Sequence, residues 1–162
     1  RHYYLTDFIT AYIHPLDKTQ PLPNVNPDII VEPINSTQND IWMQTLMDIS
    51  PHDETTDTRL AQTVTHREHT TCFLAWLDGK AVGASALSIR DGGAFFYSMA
   101  TRQAYRNLGV QTAMIQTRLA YAQVQGCEMA FAATIPGDHS MRNLMRAGFS
   151  IAYVRCTMQK DL

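Results

Sequence analysis

Apolar and polar residues alternate in the opening segment of the chain, which is the spacing of a half-buried β-strand. The segment CFLAWLDGKAVGASALSI predicts two strands joined by Asp78-Gly79, because this dipeptide is typical of a hairpin with a two-residue turn. A second turn, from Asp91 to Gly93, leads into a further strand, AFFYSMAT. The other predicted strands are YYLTDFITAYIH (one or two short strands), DIIVEPI, CEMAFAAT and FSIAYVRCTM.

Helical spacing of apolar residues predicts helices between these strands. The four segments are STQNDIWMQTLMDI, PHDETTDTRLAQTVTHRE, VQTAMIQTRLAYAQV and SMRNLMRA. Ser36 or Thr37 is the predicted cap of the first helix, and Gly126 lies where a glycine commonly ends a helix. The predicted inner faces consist of Ile41, Trp42, Leu46 and Ile49 in the first helix, of Val110, Ala113, Met114, Thr117, Ala120, Tyr121 and Val124 in the third, and of Met141, Leu144 and Met145 in the fourth.

The order of these elements predicts the fold class. It combines antiparallel hairpins with at least one crossover in which a helix joins two strands. We therefore expect an α+β (mixed α/β) protein with a central mixed sheet flanked by helices. A length of 162 residues, of which 45% are hydrophobic, suits one compact domain with an appendage.

A proline-rich segment separates the opening strand from the rest of the chain. Residues 15–27, PLDKTQPLPNVNP, hold four of the seven prolines, so they cannot continue a helix or a central strand. We place a domain boundary near Asp28. The sequence predicts that residues 1–27 are an N-terminal strand and linker, the tail of an upstream module, and that residues 28–162 form the main domain. The opening strand is expected to pack on the sheet of that domain or on a second copy of the chain; the alternative is a disordered leader.

Charge and composition narrow the classes of partner. The formal net charge is −2 with no sustained basic block, which argues against broad nucleic-acid binding. No apolar run reaches the roughly 20 residues that span a bilayer, so we expect no membrane partner. Cys72, Cys127 and Cys156 are odd in number and widely spaced. They predict reduced, mostly buried and unreactive thiols in a cytoplasmic protein.

The candidate chemistry centres on the start of the third helix. Arg106 lies three residues before Gly109 in AYRNLGVQT, where the first helical N–H groups have no partner and the helix dipole is positive. Glycine lets a ligand approach the backbone closely, and arginine is a planar donor to anions. These residues alone predict an anion site.

The loop TRQAYRNLGVQ, together with MRNLMRAGF some thirty residues later, resembles the GCN5-related N-acetyltransferase (GNAT) family. Its marks are an R/Q-x-x-G-x-G/A loop between the fourth strand and the third helix, and a Gly-Phe pair after the fourth helix. The resemblance covers residues 28–162 and extends to the order of elements. PGDHSMRNLMRAGF is also similar to a PG-x-x-S-x-RN-x-x-RAGF ending found in one subgroup of the family.

The resemblance implies acetyl-CoA as cosubstrate and an amine as acceptor, with no metal. In such enzymes the loop N–H groups bind the pyrophosphate and the preceding strand pairs with the pantetheine arm. The implied coenzyme-binding residues are Met99, Ala100 and Thr101 on the strand, Arg106, Asn107, Leu108, Gly109, Val110, Gln111 and Thr112 in the loop and helix start, and Ser140 and Asn143 on the fourth helix. For Ser140 an N-cap role and for Asn143 a solvent-facing position are the alternatives.

Two departures from the family pattern affect the site: one concerns phosphate binding and the other leaves the catalytic residues open. Gln111 stands where many members have Gly or Ala, so its side chain must turn away from the phosphates or bond to them. Leu144 occupies the position where many members have a tyrosine as general acid. The strand AFFYSMA carries no carboxylate base, so the weak catalytic candidates are Tyr97, Asp138 and His139.

Two further polar patterns have ordinary explanations. His66 and His69 lack the third and fourth ligands that Zn²⁺ requires, so we predict no metal site. The acidic residues around the first two helices could attract a cationic acceptor, although a solvated face explains them as well; they are Asp48, Asp53, Glu54 and Asp57.

The sequence thus predicts an acyltransferase that moves an acetyl group from acetyl-CoA to a primary amine of a small molecule or peptide by direct attack. The alternative is a non-catalytic CoA-binding or interaction module with the same fold. A homodimer, or contact with an upstream domain of the same chain, is the further expected association.

Overall fold

The computed structural model of the chain describes residues 2–17, 26–48 and 63–160. The strands are β1 (Tyr3–Pro15), β2 (Ile30–Pro33), β3 (Thr70–Leu77), β4 (Lys80–Arg90), β5 (Gly93–Thr101), β6 (Met129–Thr134) and β7 (Ser150–Lys160). The helices are α1 (Asn39–Met47), α2 (Val110–Val124) and α3 (His139–Arg146), and residues 63–65 are also helical. Most of the helix predicted over residues 51–68 lies outside the described residues.

The strands form one seven-stranded sheet in the order β2-β3-β4-β5-β6-β1-β7. β5 and β6 run parallel, because α2 carries the chain back between them, and the other neighbouring pairs are antiparallel. This mixed sheet with helices packed on it confirms the predicted α+β class.

Both predicted turns before β5 have the backbone angles that a tight hairpin requires. Asp78 and Gly79 have φ values of +50° and +72°, and Asp91 and Gly92 have +50° and +74°. Two consecutive residues with positive φ match the right-handed twist of the flanking strands. The chain therefore reaches β5 as the third strand of a meander.

The opening segment is one long strand inside the sheet. On one side residues 10–15 of β1 pair with β6, and on the other side β1 pairs with β7 from Tyr3↔Lys160 to Ile13↔Ser150. Of the two expected positions for this strand, the structure has the one on the sheet of its own chain. The boundary near Asp28 and the upstream module remain predictions, and Pro21 and Pro23 of the linker lie outside the described residues.

α2 packs its long side on the sheet, but the predicted inner face is partly wrong. Val110, Ala113 and Met114 are buried as expected, whereas Val124 is 82% exposed. The buried face is rotated relative to the predicted one. It includes Arg118, a residue type usually found on the surface, which is 1% exposed. Its neighbours on the true inner face are Ile115, Gln116, Leu119 and Ala122.

The first helix also differs from the prediction at its cap and on one face. Asn35, rather than Ser36 or Thr37, caps a short 3-10 turn before α1. Its side-chain oxygen accepts from the Thr37 N–H, and its own backbone N–H donates to the Gln38 side-chain oxygen. Trp42 is fully buried and donates to the Ser85 carbonyl at 3.0 Å. Ile41 is exposed because burial of the large indole ring orients the helix. Ile49 lies outside the described residues.

Among the described residues, no helix has the length and apolar character needed to cross a membrane.

Candidate functional site

The sheet opens between β5 and β6, and this opening forms the candidate site. The two strands pair from Gly93↔Met129 to Phe96↔Ala132 and no further. From Tyr97 onward the β6-facing edge of β5 is therefore unpaired. A cavity of about 1220 Å³ lies along this edge. It is lined by Tyr97, Ser98, Met99, Ala100 and Thr101 of β5, among others.

β5 also carries a bulge at the opening. Ala84 of β4 pairs with Ala100 and Ala86 pairs with Tyr97, so two residues of β5 stand opposite one residue of β4. Ser98, inside this bulge, has a φ of +46°. Bulges break the ladder and redirect a strand, and they occur often beside functional sites. Here the bulge turns the backbone of β5 where the cavity begins.

The loop before α2 supplies a second wall of the cavity. Asn107 and Gly109 have φ values of +65° and +89°, and Gly109 precedes the first residue of the helix. Left-handed residues in such a loop curl the backbone so that successive N–H groups form a concave anion site. Of the loop and helix-start residues expected here, all line the cavity except Leu108, which is 47% exposed. Those that line it are Arg106, Asn107, Gly109, Val110, Gln111 and Thr112.

The Gln111 side chain turns toward α3. Its amide nitrogen donates to the Ser140 hydroxyl at 3.2 Å, and its oxygen accepts from the Asn143 side-chain amide. Ser140 is not the helix cap, because α3 begins at His139 after Asp138. Gln111, at the start of α2, thus bonds to two other expected site residues, both on α3.

The charged residues of the cavity lining are mostly arginines. Asp138 is the single acidic residue among its described lining residues, whereas four arginines and a histidine belong to the same lining. The arginines are Arg67, Arg106, Arg142 and Arg146, and the histidine is His139. A cavity lined by several arginines and one acidic residue favours a polyanionic ligand.

The other end of the cavity has a mixed apolar and polar character. Leu46, Met47 and Val64 line it beside Tyr97. The Tyr97 hydroxyl lies 2.8 Å from the Thr70 hydroxyl, and the Arg67 guanidinium lies 6.0 Å from the Tyr97 ring centroid. Asp138 and His139, the other catalytic candidates, line the cavity from the start of α3. All three candidates therefore border the same space.

The end of α3 explains both the Gly-Phe pair and the missing tyrosine. The Phe149 N–H donates to the Leu144 carbonyl, and the Gly148 N–H donates to the Met145 carbonyl. With Gly148 at φ +92°, this is a Schellman cap. Leu144 is 2% exposed in the main core, so its side chain contributes to packing. Met145, predicted to be buried, is 49% exposed.

The cysteines lie outside the cavity lining. Cys72 and Cys127 are buried, Cys156 is exposed, and none of the three forms a disulfide. Burial raises the pKa of the Cys72 thiol to about 12, because a thiolate loses its hydration there. Within the described ranges, no three His, Cys, Asp or Glu side chains come together as a metal site would require.

Three features that shape the site do not stand out in the sequence. Gly83 of β4 lets α2 approach, since a Cβ there would lie 2.9 Å from the Val110 and Met114 side chains; a glycine within a strand is the available signal. Arg102 and Asp48 form an ion pair of 3.0 Å beside the cavity. Arg118 is buried under β5, and no local pattern indicates this.

A family model identifies the family to which the chain belongs. The family model described as "Acetyltransferase (GNAT) family" matches residues 34–149. No curated protein sequence matches the chain.

Solved structures with the same fold are distant in sequence. A GCN5-related N-acetyltransferase from Sphaerobacter thermophilus superposes with a TM-score of 0.78 at 17% identity, over 96% of this chain and 51% of its own. The aminoglycoside 6′-N-acetyltransferase AAC(6′)-Ih from Acinetobacter baumannii has a TM-score of 0.63 at 20% identity, over 83% and 99% of the two chains. AAC(6′)-Iy, in complex with a bisubstrate analogue containing CoA, has a TM-score of 0.64 at 21% identity, over 75% and 90%. The chain thus spans about half the length of the Sphaerobacter protein.

Proposed function

The chain belongs to the GNAT acetyltransferase family, and from this membership we propose that it transfers an acetyl group from acetyl-CoA to a primary amine of a small molecule or peptide. The amine attacks the thioester directly. One observation carries the proposal: the unpaired edge of β5 and the concave loop before α2 border one cationic cavity.

In this proposal the coenzyme lies along both walls of the cavity. The backbone of Met99, Ala100 and Thr101 pairs with the pantetheine amides in place of a neighbouring strand. The N–H groups from Asn107 to Thr112 receive the pyrophosphate, with Arg106 as a charged donor. Ser140 and Asn143, held by Gln111, border the same phosphates.

The bulge of β5 supplies the polarising group for the reaction. A backbone N–H of the bulged segment donates to the thioester carbonyl, where negative charge develops as the amine attacks. β5 has no carboxylate and Leu144 is buried, so water carries protons to and from the reacting groups. Tyr97 is the one titratable side chain of β5 and is a candidate proton carrier, and Asp138 and His139 are candidates from α3.

The acceptor is proposed only as a class. The aminoglycoside acetyltransferases share the fold at 20–21% identity, which makes aminoglycosides one member of a test panel rather than the assigned substrate. Amino acids, polyamines and peptides with a free N-terminus complete the panel. A cytoplasmic location is part of the proposal and rests on the absence of disulfides among the three cysteines.

Calorimetry with acetyl-CoA tests the coenzyme part of the proposal. We expect binding, and we expect Arg106→Ala to weaken it by about 1–3 kcal/mol through loss of a charge-assisted contact. Arg90→Ala is the control, because Arg90 is exposed at the end of β4 and does not line the cavity. No binding by the parent protein at hundreds of micromolar would contradict the proposal.

Turnover with the amine panel separates the two functional alternatives. The burial of Leu144 in place of a general acid is the observation that favours a non-catalytic CoA-binding module. CoA binding without acetylated product from any acceptor would support that module. Release of CoA together with an acetylated amine would establish the enzyme.

A further inference from the structure

Arg118 is a buried cation held by four contacts within the described chain. Its Nε donates to the Met114 carbonyl at 3.1 Å, and one terminal nitrogen donates to the Ala86 carbonyl at 3.1 Å. The other terminal nitrogen lies 2.8 Å from the Met99 sulfur. The guanidinium carbon is 4.3 Å from the centroid of the Phe96 ring.

This position is costly for a charged group. Arg118 is 1% exposed, and burial lowers the pKa of its guanidinium to about 9. Its contacts among the described residues are carbonyls, a sulfur and a ring, with no carboxylate. A leucine or methionine would fill the same space without this desolvation cost. A purely space-filling role therefore does not account for an arginine.

Three of the four contacts of Arg118 lie at or beside the bulge of β5. Phe96 is the last β5 residue paired with β6, and Met99 is one of the two residues in the bulge. Ala86 is the β4 residue at which regular pairing with β5 resumes. The neighbouring carbonyl, that of Ser85, accepts from the indole of Trp42. Opposite the bulge, where the ladder of backbone hydrogen bonds is broken, the Ser85 and Ala86 carbonyls of β4 thus accept from side chains.

We propose that Arg118 is a positioning residue that fixes the bulge of β5, so that its backbone N–H meets the thioester carbonyl of the bound coenzyme. The role rests on the proposed function, because it acts on the backbone that polarises the thioester. Arg118 itself does not line the cavity, and its effect passes through Phe96, Met99 and Ala86.

The variants Arg118→Met and Arg118→Lys test this role. Methionine keeps an unbranched apolar stem, although a shorter one, and removes the donors and the charge. Lysine keeps a charged donor that can reach one carbonyl. Leu119→Ala is the matched control, because Leu119 is 1% exposed in the main core and makes none of these contacts.

Hydrogen exchange of the folded proteins is the readout that does not depend on activity. For Arg118→Met we expect several-fold faster amide exchange in residues 96–101. This increase should exceed that in Leu119→Ala, with each variant measured the same number of degrees below its own melting temperature. Exchange equal to that of the control would overturn the proposal. If Arg118→Met does not fold, the same comparison for Arg118→Lys decides.

Binding and kinetics then test the consequence for the thioester. We expect Arg118→Met to bind CoA and acetyl-CoA as the parent does and to lose about 10- to 100-fold in kcat. The KM for acetyl-CoA stays near its original value, and Arg118→Lys recovers part of the kcat. An unchanged kcat in the methionine variant would overturn the role. A parent protein that neither binds CoA nor turns over contradicts the proposed function, while the exchange experiment still tests the contact between Arg118 and the bulge.

Discussion

One backbone angle at Gly109 determines whether the loop before α2 can form its concave shape. Its φ of +89° lies in the left-handed region, which costs a residue with a side chain about 1–2 kcal/mol. Space is not limiting, because the atom nearest to a new Cβ would be Ile29 Cδ1 at 4.0 Å. The glycine is therefore required by conformation rather than by crowding in the unliganded protein.

We expect Gly109→Ala to lower the free energy of unfolding by about 1–2 kcal/mol and to weaken acetyl-CoA binding, measured by denaturant titration and calorimetry. Gly137→Ala is the control: its φ is +83°, no atom lies within 4 Å of a new Cβ, and it does not line the cavity. It should lose similar stability and keep the affinity of the parent. Parent-like affinity in Gly109→Ala would show that the phosphates lie elsewhere.

The reactivity of each cysteine toward an alkylating reagent depends on how exposed its thiol is. At pH 8 we expect a short pulse of iodoacetamide to label Cys156, which is exposed, and to leave Cys72 unlabelled until the protein unfolds. Mass spectrometry of peptides measures this, and Cys156→Ser should abolish the fast label. Labelling of Cys72 as fast as Cys156 would contradict the burial argument.

The raised pKa of Cys72 also sets a direction for stability. The folded thiol keeps its proton up to about pH 12, whereas the unfolded thiol loses it near its ordinary value of 9.0. The stability that the protonated Cys72 thiol contributes is therefore fully present below pH 9 and is lost as pH rises from 9 toward 12. Cys72→Ala should make the stability fall less steeply over that interval.

At the scale of elements, Gln111 connects the first turn of α2 with α3. Its side chain donates to Ser140 and accepts from Asn143, so the two helix starts are held side by side along the proposed phosphate site. The hydrogen bonds resolve how a glutamine fits where a small residue is common: it bonds to the neighbouring helix.

We expect Gln111→Ala to weaken acetyl-CoA binding modestly and Gln111→Glu to weaken it much more. A glutamate can still accept from Asn143, but its negative charge repels nearby phosphates. Calorimetry at low and high salt measures both effects, and the extra loss in the glutamate variant should shrink as salt screens the charge. Equal affinities of the two variants at low salt would contradict phosphate binding at this helix start.

At the scale of the whole molecule, β1 joins β7 to the rest of the sheet. β7 pairs with β1 alone among the described strands, while β1 also pairs with β6. Removing β1 exposes the edges of both neighbours and leaves β7 without its partner, so the cost exceeds that of losing a terminal leader.

We expect deletion of residues 1–17 to abolish cooperative unfolding, followed by circular dichroism during heating. The matched design is a circular permutant that begins at residue 18 and attaches residues 2–17 after the C-terminus through an Asn-Gly turn. Tyr3 and Lys160 are direct partners in the ladder, so a short turn can join these strands. Cooperative unfolding in the permutant but not in the deletion would place the stabilisation in β1 itself. Unchanged stability of the deletion would contradict this role.

The sequence by itself determined the features that depend on neighbouring residues. Asp78-Gly79 makes a hairpin because consecutive positive φ angles suit these two residue types, and Gly148 ends α3 because the cap needs a left-handed residue. Arg106 and Gly109 mark the loop before α2 for the same reason: the free N–H groups of a helix start are a local property. The order of such elements was enough to indicate the mixed sheet.

Only the tertiary structure decided which distant segments meet. Strand character of β1 is visible in its alternation, but its place between β6 and β7 depends on pairing with residues more than a hundred positions away. Arg118 looks like a surface residue in its own helix and is buried because β4 and β5 surround it with acceptors and a ring. Gln111 likewise finds its partners on another helix. The free energy of such contacts comes from burial and hydrogen bonding between elements, and periodicity along one segment carries no information about them.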